Sequence, residues 1–424
     1  MTVVEASGSL ADARVVFRMR GPIGSMRWVA RHRDYVPGRR FRDEQVSGPF
    51  ARWVHTHLVA ADPAGGSTLT DDVEYALPLG PLGRLVGGAM VRRRLETMFA
   101  FRHRRTREDL GRHARHARAP RLRVAVTGST GLLGSALCAF LTTGGHQVVP
   151  LVRRDGVPGV RWDPGARTID AKGLEGVDVV VHLAGANVGD RRWTPARRRT
   201  LVESRVASTR FLVETLRSLP RPPRALVCAS AIGVYGDRGD EVVGAGSEPG
   251  TGFLADLVRA WEAEARPAAD AGIRVAHLRL GVVLGAKGGA LRAMLAPFRL
   301  GLGRRLGTGR QWMSWISIDD AVAAFHEAAM DERYTGPIDV TAPWPVRQRE
   351  FAACLRGVLG RPAMASMPAF AARALFGERG KGLLLASTRV EPRRLDELGF
   401  VWAQGGLEDA LRFELGRPAP RARP

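Results

Sequence analysis

Eight residues, Thr127-Gly128-Ser129-Thr130-Gly131-Leu132-Leu133-Gly134, have the types and spacing to hold a phosphate. Gly128 permits a tight turn, Gly131 lets the backbone approach a pyrophosphate, and Gly134 lets a helix pack closely on a strand. The anion would then sit on a helix N-terminus, where free N–H groups and the macrodipole favour negative charge. A glycine triad alone is weak evidence. Here Leu122–Val126 reads as a buried strand before the turn, Ser135–Thr142 as a helix after it, and Val148–Val152 as a second strand. That context makes the segment a dinucleotide site. Arg153-Arg154 follows the second strand, where an acid would meet the ribose hydroxyls of NAD. Two guanidinium groups suit a 2′-phosphate instead, so the cofactor expected is NADP in preference to NAD.

The elements around this turn alternate. Val177–His182 is a strand running into Leu183-Ala184-Gly185, and Ala225–Ser230 and Arg274–Leu280 are further strands between helical stretches. Such alternation predicts an α/β protein with a doubly wound parallel Rossmann sheet. Before residue 120 the pattern differs. Ala13–Met19, Met26–His32, Arg39–Val46, Arg52–Ala60 and Thr68–Leu77 are short β-rich segments separated by Gly and Pro signals. After Pro78–Pro81, Leu82, Leu85, Val86, Ala89, Leu95, Met98 and Phe99 recur at helical spacing. Past Arg102 the apolar face is lost and the helix is expected to be solvated. The first 118 residues therefore predict an antiparallel α+β segment, separate from the α/β domain.

Composition excludes several classes. The chain has 424 residues, 45% of them hydrophobic, with three scattered cysteines and no CxxC pair, so a disulfide scaffold or zinc module is not expected. Met1–Leu10 carries no basic segment followed by an apolar stretch, and the apolar runs fall short of a bilayer span, so the chain reads as cytoplasmic. The net charge of +22 invites a nucleic-acid reading, but all basic residues other than Lys172, Lys287 and Lys381 are arginine and no recognition motif accompanies them. Salt-dependent sticking to polyanions is expected; specific nucleic-acid binding is not.

The motifs resemble two families. Phe41-Arg42-Asp43, Gly48-Pro49-Phe50-Ala51-Arg52-Trp53, Leu69-Thr70-Asp71 and Leu77-Pro78-Leu79-Gly80 are similar to the helix-grip fold of START and polyketide-cyclase proteins. Complete members have another first strand and two short helices that close a ligand cavity, and a chain beginning at Met1 is expected to lack them. From 122 to 415, the glycine turn, Arg192-Trp193-Thr194, Ser204-Arg205-Val206, the segment 231–239, Arg279–Gly285 and Trp315–Asp320 resemble the NAD-dependent epimerase/dehydratase family of atypical short-chain dehydrogenases. Residues 376–400 resemble that subgroup's small C-terminal domain, giving a division into 1–118, 122–345 and 366–415.

The resemblance implies that Thr127–Gly134, Arg153, Arg154, Leu183, Ala184, Gly185, Thr200, Arg205 and Val283 contact NADP. It implies an oxidoreductase or epimerase acting on a small molecule, and a homodimer among the assemblies to expect. The family's proton machinery is a Ser or Thr, a Tyr, and a Lys four positions later, the Lys lowering the Tyr pKa. Ser230 fits the first, but the Tyr position holds Phe253 and the Lys position Leu257. Tyr235, Asp237 or Asp256 would have to substitute, Tyr235 foremost. Trp193, Tyr235, Phe298, Trp312 and Trp315 are expected to shape an apolar cleft for a small carbonyl compound. With the usual pair missing, a non-catalytic NADP-binding regulator is the alternative. A third reading has the N-terminal segment presenting a lipid-like ligand.

Overall fold

A computed structural model describes residues 2–20, 24–63, 65–154, 156–303, 305–362, 368, 370 and 377–417. The boundary expected at 366 and the residue Phe376 lie outside these. The chain divides into two compact units, Met1–Ala100 and Phe101–Pro424.

The first unit is an antiparallel meander of six strands: β1 (Thr2–Ser7), β2 (Arg14–Arg20), β3 (Ser25–Val36), β4 (Arg40–Ser47), β5 (Arg52–Ala61) and β6 (Ser67–Ala76). Five of these were expected. The additional first strand, TVVEAS, is short and lies at the sheet edge on β2, exposed where it is described. Alternation is clearest on β5, where Trp53, His55 and His57 are buried and their neighbours are not. Trp53 meets Trp28 edge-on, with ring centroids 5.1 Å apart. Helix α1 (Gly80–Arg115) comes next. The apolar face expected on it is only partly used: Leu82, Leu85 and Val86 are exposed, while Leu95 and Phe99 are half-buried.

The second unit is built on an eight-stranded sheet. Its strands are β7 (Arg123–Thr127), β8 (Gln147–Val152), β9 (Val160–Asp163), β10 (Thr168–Ile169), β11 (Val179–His182) and β12 (Ala225–Ala231). After the short β13 (Val242–Val243) comes β14 (Arg274–Leu280), and after β15 (Val282–Leu284), β16 (Trp312–Met313) and β17 (Trp315–Ser317) comes β18 (Gly336–Val340). The order is β10-β9-β8-β7-β11-β12-β14-β18, parallel except for the β9–β10 pair. The chain reverses its direction of growth between β7 and β11, which opens a crevice at their carboxyl ends. Helices α2 (Leu132–Thr143), α3 (Pro195–Glu203), α4 (Val206–Ser218), α5 (Phe253–Ala265), α6 (Gly289–Arg299) and α7 (Ile318–Met330) connect the strands. Strands buried on both faces read as near-continuous apolar runs, and Val124, Ala125, Val126, Val179, Val180 and Leu226 are fully enclosed.

The last turns of α1 correct the solvated-tail expectation. Arg105 pairs with Asp319 and Arg112 with Asp320, the second pair wholly buried. Asp320 also accepts from the Ala403 and Gln404 amides at 2.8 and 3.1 Å. His113 stacks on Phe140 and bonds its carbonyl oxygen. Arginines spaced along a helix read as solvent-facing in sequence because their carboxylate partners lie about 200 residues on. Among the described residues no helix is long and apolar enough to cross a membrane.

Candidate functional site

The glycine turn sits at the end of β7 and opens α2, as its spacing demands. Gly128 has φ +66°, and a Cβ there would lie 2.9 Å from the Leu183 carbonyl carbon. A Cβ on Gly134 would lie 2.1 Å from the Gly128 oxygen. Gly131 is the N-cap of α2, with no side-chain cap on the helix. The first N–H groups of α2 therefore have no side-chain acceptor, which suits an external anion.

A buried polar chain fixes this end of the sheet. The Thr127 hydroxyl accepts from the Leu183 and Ala184 amides at 3.0 and 3.1 Å and lies 2.8 Å from His182 Nδ1. His182 Nε2 is 3.0 Å from the Thr209 hydroxyl, which accepts from Trp261 Nε1 at 3.0 Å. Burial, with the Arg205 charge adding, drives His182 down to about 4, so the imidazole is neutral at pH 7. Thus Thr127, Leu183, Ala184 and the turn are held as one body. Sequence reasoning passed over His182, Thr209 and Trp261; a histidine closing an all-valine strand was the available signal.

Arg205 stands beside this body. A Cβ on Gly185 would meet its guanidinium carbon at 3.2 Å, and that carbon lies 5.2 Å from the Trp261 ring centre. Burial, with the nearby Arg197 charge, pushes Arg205 down to about 10. Among the described residues it has no carboxylate partner. A half-buried cation without a counter-ion is unfavourable unless an anion arrives. Leu132 packs against Gly285 and Gly288, bringing the segment after Val283 to the mouth of the turn. Arg153 and Arg154 are exposed just past β8 and lack a carboxylate partner among the described residues. Thr200 lies exposed on α3, its hydroxyl donating back to the Ala196 carbonyl at 3.2 Å.

Ser230 and Tyr235 belong to a different, closed network. The register sets Ser230, Arg279 and Asp339 side by side on β12, β14 and β18. Ser230 donates to Glu262 Oε1 at 2.6 Å, and Arg279 grips both Glu262 oxygens at 2.9 Å. Arg279 also donates to the Tyr235 hydroxyl at 2.9 Å, and that hydroxyl donates to Asp339 at 2.8 Å. Tyr235 is fully buried. Burial, then the Asp339 charge, pushes its phenol well above the ordinary range. Burial also raises Asp339 to about 6, against the pull of Tyr235 and Arg279. Glu262 is the opposite: burial raises it, but the Arg279 pair and Ser230 outweigh that and leave it lowered. With both acids ionised, two carboxylates and one guanidinium leave one negative charge in excess, which Asp339 relieves by taking up a proton as the pH falls through about 6.

The aromatic expectations divide. Phe298 and Trp315 are core residues, so they do not line a cleft. The Trp312 ring is contacted by Arg347 and Arg389, with guanidinium carbons 3.9 and 4.6 Å from its centre. Trp193 meets Phe253 edge-on at 5.2 Å, and a Cβ on Gly382 would touch Trp193 at 3.2 Å. Phe253 opens α5 and Leu257, one turn on, is buried. Asp256 is exposed and pairs with Arg259, and Asp237 accepts from the Ser387 amide at 3.1 Å.

Residues 124–338 match the model of the NAD dependent epimerase/dehydratase family, and 367–414 match DUF1731, a domain of unknown function. The chain is 40% identical over 297 residues to an epimerase family protein of Mycobacterium bovis, covering 70% of this chain and 98% of the relative. Identity to the human epimerase family protein SDR39U1 is 35% over 294 residues, covering 69% and 99%. A crystal structure of the human protein, with NADPH, superposes with a TM-score of 0.65 at 34% identity, covering 69% of this chain and 98% of that one. A Corynebacterium glutamicum structure described as a nucleoside-diphosphate sugar epimerase reaches a TM-score of 0.80 at 35% identity, covering 98% and 82%.

Proposed function

The chain belongs to the NAD-dependent epimerase/dehydratase family, and on that premise we propose that it binds NADP(H) at the carboxyl ends of β7 and β11 and acts on a small apolar molecule. The observation that carries the reading is the uncompensated Arg205 beside an uncapped helix N-terminus. Thr127–Gly134 would cradle the pyrophosphate with backbone donors, and Arg205 would supply a half-buried positive charge. Leu183, Ala184, Gly185, Thr200 and Val283 would border the ribose and nicotinamide. Arg153 and Arg154 would take the 2′-phosphate. The family relative solved with NADPH supports that choice of nucleotide. When bound, the nicotinamide supplies or accepts a hydride. The Trp193–Phe253 pair offers an apolar wall, which favours a small carbonyl compound over a sugar nucleotide.

A non-catalytic, NADP-binding role is the second reading, favoured by one observation. The only hydroxyls expected to move a proton, on Ser230 and Tyr235, are buried and already engaged with Glu262, Arg279 and Asp339.

Titration with NADPH and NADH, read by tryptophan quenching, tests the first reading. NADPH should bind more tightly, and Arg153→Ala should cut that preference about 10-fold, the scale of one charge-assisted contact. Equal binding of both nucleotides overturns the 2′-phosphate assignment. NADPH oxidation by a panel of apolar aldehydes and ketones separates the enzyme from the regulator.

A further inference from the structure

The nucleotide site leaves unused the strings Phe41-Arg42-Asp43 and Leu69-Thr70-Asp71 and the buried face of β5. The register of the first sheet gathers their polar residues into two adjacent rows. His32, Asp43 and His55 lie opposite one another across β3, β4 and β5. Phe41, His57 and Asp71 do the same across β4, β5 and β6. His55 and His57 are separated by one residue on β5 and so share a face. Both are about 5% exposed, and the Phe41 ring stacks on His57 at 4.0 Å. Phe99 of α1 meets His55 edge-on at 5.3 Å.

One assignment of the imidazole tautomers sorts these groups into an inner set and a supporting set. One nitrogen of each histidine faces the same oxygen: His55 Nε2 is 2.7 Å and His57 Nδ1 3.0 Å from Asp71 Oδ1. With those nitrogens donating, the lone pairs fall on His55 Nδ1 and His57 Nε2. Those two atoms face Asp43 Oδ2, at 3.9 and 3.0 Å. The other oxygen of Asp43 is 2.8 Å from His32 Nε2. One ligand atom each from Asp43, His55 and His57 lie within 4.8 Å of one another. Asp43 and Asp71 thus flank the two imidazoles with carboxylates.

We propose that Asp43, His55 and His57 bind a divalent first-row transition ion. Two imidazoles and one carboxylate are a ligand set for such ions and leave coordination positions open. Asp71 fixes the tautomers of both imidazoles and His32 orients the Asp43 carboxylate, the support metal-binding histidines and carboxylates require. The Asp43 side chain, 23% exposed against 2–6% for Asp71, His55 and His57, marks the side from which the ion and a further ligand enter. His113, His146 and His326 come equally close together. There the Leu122 amide donates to His146 Nδ1 at 3.0 Å, so the inward Nε2 carries the proton and has no lone pair to offer.

The test is titration of the chelator-treated full-length protein with Co2+ and Zn2+, following Co2+ visible absorption and competition with a chromophoric chelator. One equivalent should bind. Asp43→Asn and His57→Gln should each weaken binding at least ~100-fold, and Asp71→Asn about 10- to 100-fold, the range for a supporting contact. His326→Gln should leave it unchanged. No stoichiometric binding by the folded wild type overturns the proposal, as does binding that survives both Asp43→Asn and His57→Gln or is lost in His326→Gln. If the variants fail to fold, X-ray absorption on the Co2+-loaded wild type decides. A shell with two imidazoles and no sulfur supports the site; a shell without imidazole, or with sulfur, overturns it.

Discussion

Two sets of neighbouring strand ends in the second unit carry polar networks, and they differ in what they leave undone. At the β7 and β11 ends, α2 has no side-chain cap and Arg205 has no carboxylate partner among the described residues. At the β12, β14 and β18 ends, Ser230, Tyr235, Glu262, Arg279 and Asp339 satisfy one another. The first region leaves donors uncommitted to side-chain acceptors. The second spends its donors on the fold. Residue type alone therefore does not say which hydroxyls are at hand: those of Ser230 and Tyr235 are held by Glu262 and Asp339.

The largest effect that would sharpen this contrast is Gly134→Val. Its Cβ would fall on the Gly128 carbonyl, so α2 must shift, with a loss of roughly 2–3 kcal/mol and about 100-fold in NADPH affinity. Gly131→Ala, whose Cβ meets only the Gly128 oxygen at 3.2 Å, should be far milder in chemical denaturation.

Next is the closed network's response to pH. Asp339 is raised from 3.8 to about 6, so its stabilising contribution is fully present below pH 3.8 and is lost as pH rises through 6. Asp339→Asn keeps an acceptor for Tyr235 and removes the charge. Urea midpoints should show the variant gaining about 2–3 kcal/mol on the wild type between pH 4 and pH 7. A difference flat in pH would mean Asp339 is ionised throughout and the network is not short of positive charge.

Arg205→Met should separate stability from binding. Losing a half-buried cation that has no carboxylate partner among the described residues should raise the melting temperature of the nucleotide-free protein by the equivalent of about 1 kcal/mol. NADPH affinity should fall about 10- to 100-fold. A variant that melts lower and binds equally well would make Arg205 a packing residue. The smallest effect belongs to Tyr235→Phe: about 1 kcal/mol of stability, with NADPH affinity and any turnover unchanged. Turnover abolished in a folded Tyr235→Phe variant would return the tyrosine to the reaction and break the comparison.

The glycine turn was legible because its requirements are local. A left-handed Gly128 and two close approaches are demands of one strand–turn–helix unit, and eight consecutive residues encode them. The five strands within Arg14–Ala76 were legible from β-branched and aromatic residues between Gly and Pro turn signals, and the short edge strand Thr2–Ser7 was not. Arg112 read as solvated and Tyr235 as available for the same reason. The residues that bury or occupy them, Asp320 and Asp339, are remote in the chain and arrive only when the sheet and helices assemble.

The sequence by itself determined the periodicities, the turn and the absence of the Tyr–Lys pair, since each depends on neighbours within a few positions. Only the tertiary structure decided which charges are paired. Desolvation and partnering depend on what is packed alongside, and parallel strands bring together residues as distant as Ser230, Arg279 and Asp339.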